Sequence, residues 1–82
     1  MVGVEEKVVD ERKVFGASVR AFRNRLGISQ EELAGRANLH RTYVCGVERG
    51  ARNVSLQTVL KIARALEVSV SALFSEATWP SH

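Results

Sequence analysis

Apolar residues recur along this chain at helical intervals. Phe15, Val19, Phe22 and Leu26 follow one another at steps of four, three and four, a single stripe on a helix predicted to run from Asp10 or Glu11 to Leu26. Gly27 stands where a helix stops; the segment from Glu5 to Val9 either joins this helix or frays. Ser29, with Glu32 three residues on, offers a capping box for a second helix, whose Leu33, Ala34 and Ala37 face inward. Asn38 takes the left-handed turn and Leu39 plugs the corner. A third helix is predicted from His40 or Arg41 to Glu48, stopping at Gly50. Ser55 caps a fourth, in which Leu56, Val59, Leu60, Ala63 and Leu66 share one face. Val68, Val70, Leu73 and Phe74 mark a short fifth helix with Ser69 as its cap. No strand pattern, internal repeat or low-complexity tract is present, so the fold is expected to be all-α.

At 82 residues the chain has room for one domain with a modest core, which makes oligomerisation a reasonable source of extra stability. The expected division is an N-terminal extension over residues 1–11, a folded domain over 12–75, and a loosely held tail over 76–82. No apolar run approaches the ~20 residues that cross a bilayer, and the charged start MVGVEEKVVDERK lacks a signal-peptide core. The single cysteine cannot form an internal disulfide, which fits a reducing cytoplasm.

The third helix divides by chemistry. At about 100° per residue, Val44 and Val47 point one way with Tyr43 beside them, while Arg41, Thr42, Cys45, Gly46 and Arg49 point the other. The first side supplies core. The second is an odd solvent face but a sensible one for a macromolecular partner. The major groove of B-DNA admits a helix whose N-terminal side chains reach base edges: Arg can hold both guanine acceptors, and Thr can reach a base or the thymine methyl. Gly46 costs the helix about 1 kcal/mol against Ala. Either its bare backbone lets the helix approach a groove wall closely, or it is a tolerated surface glycine.

Charge strengthens the polyanion reading. The net charge of +3 hides a polarity: residues 1–11 hold one Lys against four acids, whereas residues 12–66 hold eleven Lys and Arg against three. A body this basic suits an acidic partner. By default Arg12, Lys13, Arg20, Arg25 and Arg64 are ordinary surface charge.

The stretch SQEELAGRANLHRTYVCGVERG, followed by ARNVSLQTVLKIARALEVSVSALF, resembles the Cro/CI-type (Xre) helix-turn-helix family of phage repressors and small bacterial regulators. The likeness spans roughly Phe15 to Phe74, and RTYVCGVERGARN is similar to the controller proteins of restriction–modification systems. It implies a compact five-helix, lambda-repressor-like DNA-binding domain with the helix-turn-helix at helices two and three. It also implies that Arg41, Thr42, Cys45 and Gly46 face bases, with His40 at the leading edge. Gln30, Arg52, Asn53 and Ser55 match backbone-contacting positions, and Tyr43 and Arg49 are further candidates for phosphate contact. Arg23 and Glu48 match a pair that ties the first helix to the third, a structural role. Cys45 departs from the family, where a small hydroxyl residue is common; a thiol is a poor donor and weakens one contact there.

One recognition helix makes few contacts, so a symmetric homodimer on a palindromic operator is expected, with half-sites about 10 bp apart or a multiple of that. Val68, Val70, Leu73, Phe74 and Trp79 are the candidate interface; Leu73 and Phe74 have the alternative of closing the monomer core. The expected partner is double-stranded operator DNA, with no cofactor, metal, membrane or small-molecule effector, and no catalytic residues. Rival readings are an antitoxin that uses residues 1–11 to hold a toxin, a prophage repressor, and a basic module for another acidic ligand. An enzyme is disfavoured because Cys45, His40 and Glu48 form the only reactive cluster in the motif.

Overall fold

The computed structural model describes residues 10–75 and contains five α-helices: α1 (Glu11–Leu26), α2 (Gln30–Ala37), α3 (Arg41–Glu48), α4 (Leu56–Leu66) and α5 (Val70–Ser75). Their limits follow from local signals. Asp10, in extended backbone, accepts from the Arg12 N–H and starts α1 there. Gly27 ends it in the left-handed region at φ 76°. Ser29, Ser55 and Ser69 accept the N–H groups of Glu32, Thr58 and Ala72, capping α2, α4 and α5. Asn38 takes φ 58° between α2 and α3, as the turn requires. Only half of the capping box forms: the Glu32 carboxylate accepts from Arg36 Nη2 at 3.0 Å, one turn along α2. Glu67 ends α4 at φ 63°, a left-handed residue that nothing in its type foretold.

The core lies among the five helices, with α3 packed on α1 and α2, α4 on α1, α2 and α5, and α5 on α1 and α4; Val19, Leu33, Val44, Val47, Ile62 and Leu73 are all but sealed from solvent. Two expected stripes shift. On α1, Leu26 is 36% exposed, because the C-terminal end of the helix runs beyond the core; Gly16 and Ser18 are buried instead. Gly16 faces the backbone carbonyls of Val47 and Glu48, so closely that any Cβ would collide with them, and α1 therefore lies directly on α3. Ser18 donates to the Leu73 carbonyl at 2.6 Å, satisfying its buried hydroxyl and tying α1 to α5. On α4 the buried arc is centred on Val59, Ile62 and Leu66, with Ala63 and Ala65 at its sides. Leu56 and Leu60, expected inside, are 73% and 37% exposed. The helix is apolar over a wider arc than its neighbours can cover.

Candidate nucleic-acid interface

α3 is oriented by what it buries. Val44 and Val47 are 0% and 1% exposed, and half-buried Tyr43 packs against the same core. Glu48, at the end of α3, is held as firmly by polar groups. Arg23 Nε donates to Glu48 Oε2 at 2.6 Å and Arg23 Nη2 to Oε1 at 3.1 Å, a fork-to-fork pair between α1 and α3. Arg23 Nη1 also donates to the Ile28 carbonyl at 2.9 Å, and Gln30 Nε2 donates to Glu48 Oε1 at 3.0 Å. One carboxylate thus ties together α1, the start of α2 and α3. The hydrogen bond to Glu48 raises the Arg23 pKa above its ordinary value, against burial, which lowers it. The expected structural pair is present.

Burying Glu48 also sets the surface charge. It is the only acid of α3, and its side chain is 3% exposed. The remaining sector carries Arg41, Thr42 and Arg49, all exposed, with the half-buried thiol of Cys45 between them. These four residues fall within roughly 100° of the helix circumference. His40 is the exposed N-cap of α3 and makes no side-chain cap bond, so its imidazole leads the helix into solvent.

The expected place of Gly46 is corrected. It is buried, covered by the side chain of Arg52 from the loop after α3: a Cβ on Gly46 would lie 3.0 Å from Arg52 Cγ and 3.3 Å from its Nε. The guanidinium carbon of Arg52 lies 5.2 Å from the centroid of the Tyr43 ring, a cation–π distance. The glycine therefore accommodates an arginine stem. The sequence held no signal for this contact, because the two residues meet only through the turn at the end of α3. Asn53 is exposed, as is Ser55, whose hydroxyl accepts from the Thr58 N–H and donates to Thr58 Oγ1, both at 3.1 Å.

Of the residues expected at a dimer interface, Leu73 takes the alternative given for it and closes the monomer core. Leu73 is 0% exposed, enclosed by α1 and α4, because the Ser18 bond to its carbonyl draws α5 inward; it belongs to the monomer core and not to an outer surface. Val68 and Val70 are half-buried against the core. Phe74 is 37% exposed and stacks on Phe15 with ring centroids 5.4 Å apart. Trp79 lies outside the described residues. Leu56 joins Phe15, Val54, Val59 and Phe74 in lining a shallow apolar groove.

Among the described residues no helix is long and apolar enough to cross a membrane, and no three metal-ligating side chains lie together. A family profile described as helix-turn-helix matches residues 19–73. The control protein C.SmaI of Serratia marcescens is 43% identical over 67 residues, covering 82% of this chain and 80% of that protein. The crystal structure of the restriction–modification controller protein C.AhdI of Aeromonas hydrophila aligns with a TM-score of 0.78 at 47% identity, covering 80% of this chain and all of that one. The controller protein C.Esp1396I, solved as a tetramer on its natural 35-base-pair operator, aligns at 0.77 with 31% identity, covering 85% of this chain and 91% of that one.

Proposed function

The chain belongs to the Xre-type helix-turn-helix family, and from that premise we propose that it is a transcriptional regulator that binds double-stranded operator DNA as a homodimer, in the manner of a restriction–modification controller. The observation that carries this reading is the exposed sector of α3: a basic strip whose only acid is buried and whose valines are locked in the core. Arg41 and Thr42, in the first turn, are placed to read base edges in the major groove, with Cys45 beside them and His40 at the entrance. Arg49, Arg52 and Asn53 lie beyond them towards the sugar-phosphate wall. Gln30 and Ser55, each at a helix start, add the positive helix end to any phosphate contact. Gln30 keeps its amide oxygen and second N–H for that purpose while bound to Glu48.

For the dimer, burial supports a different choice of interface residues from the one expected. In this reading Phe74 stays in it, buried Leu73 leaves it, and the exposed Leu56 and Leu60 join it. The regulator reading is favoured over an antitoxin by the likeness to the control proteins C.SmaI and C.BamHI.

Selection from a randomised duplex library, followed by footprinting upstream of the protein's own gene, tests the proposal. The expected result is a palindromic site with half-sites about 10 bp apart, or a multiple, and affinity that falls steeply with salt. Enrichment of no sequence, or binding indifferent to salt, would reject it.

A further inference from the structure

We propose that Gly46 is a positioning residue for Arg52, and that Gly46, Tyr43 and Arg52 form one unit that presents a pre-set guanidinium to a phosphate at the far end of α3. The proposal rests on the reading of the α3 face as a DNA-binding surface. Three contacts fix an otherwise exposed loop residue. The Ala51 N–H donates to the Gly46 carbonyl at 2.8 Å, which anchors the backbone next to Arg52. The Arg52 stem then lies against Gly46, where the space an ordinary Cβ would take is filled by Arg52 Cγ, Nε and Cδ at 3.0, 3.3 and 3.7 Å. Finally, the head rests 5.2 Å from the centroid of Tyr43, a ring itself half-buried in the core and so a fixed platform.

A guanidinium resting over an aromatic ring keeps N–H donors available to an anion. An arginine already in place loses less conformational freedom when the phosphate arrives. An alanine Cβ at position 46 would press on the stem and shift it by a few tenths of an ångström, loosening its seat on Tyr43; a larger side chain would displace it further.

Because Ala favours helix more than Gly, G46A should fold at least as well as the parent, and a binding loss cannot be charged to a damaged helix. Two readouts separate this proposal from its premise. In the DNA-free protein, the Arg52 δ-methylene protons should be shifted upfield by the Tyr43 ring in wild type and Y43F, measurably less in G46A, and should lie near their ordinary positions in Y43L. Affinity for the duplex selected by the wild type from a randomised library should fall about 2- to 10-fold in G46A, the loss expected of one cation–π contact, but less than about twofold when G46A is added to R52A. An unshifted Arg52 signal in the wild type would overturn the proposal, as would unchanged affinity in G46A or an equal G46A loss with and without Arg52. If the wild type selects no duplex at all, the DNA-binding premise fails, while the proton shifts still decide the Gly46 seat.

Discussion

Serine caps start α2, α4 and α5 alike, yet the α2–α3 corner and the α4–α5 end expose opposite surfaces. On α3 the apolar residues are few and all used: Val44 and Val47 fill the core, and charge and hydroxyl remain outside. On α4 the apolar residues exceed what the core can take, so Leu56 and Leu60 are exposed while Ile62, and Leu73 of α5, disappear inside. A helix with just enough hydrophobes declares its outer face; one with a surplus does not. The comparison also separates two kinds of outward residue, those suited to a polyanion and those suited to a second copy of the chain.

The largest effect that would break this contrast lies under the polar face. Glu48→Ala leaves the Arg23 guanidinium, 12% exposed, without its carboxylate and releases Gln30. A cost of about 3–5 kcal/mol is expected in chemical denaturation, as for one partner removed from a buried pair. A cost under about 1 kcal/mol would make the pair no better than a surface contact, and the charge-burial account of α3 would fall with it.

The apolar end gives the next test. Leu73→Ala should destabilise the monomer by about 2–5 kcal/mol through an unfilled core site. Leu56→Ser should change monomer stability by no more than about 0.5 kcal/mol while dissociating the dimer in sedimentation at matched concentration. A dimer that survives Leu56→Ser places the interface elsewhere. The smallest effect sharpens the polar side: Arg41→Ala should weaken operator binding by about 1–3 kcal/mol and relax preference at one base pair. Equal losses on operator and random duplex would make Arg41 a phosphate contact.

Much of the polar corner was legible residue by residue. The serine caps, Asn38 and Gly27 act through bonds to their own neighbours, so type and spacing suffice to place them. The Arg23–Glu48 pair came from a family likeness, and its link to Gln30 was visible in neither pattern nor likeness. Gly46 was misplaced because its cover comes from a residue beyond the helix. The α4 stripe was misplaced because a set of five apolar positions fits two overlapping arcs, and the packing of α1, α2 and α5 chooses between them.

By itself, then, the sequence determined what depends on separations of a few residues: five helices, the serine, asparagine and glycine residues that bound them, and which side of α3 is apolar. Tertiary structure alone decided what depends on contacts between distant segments. Gly16 against α3, Ser18 against α5 and Arg52 across Gly46 are each set by the approach of two elements in space. Burial is a property of that approach, and a side chain's own chemistry can only make it more or less favourable.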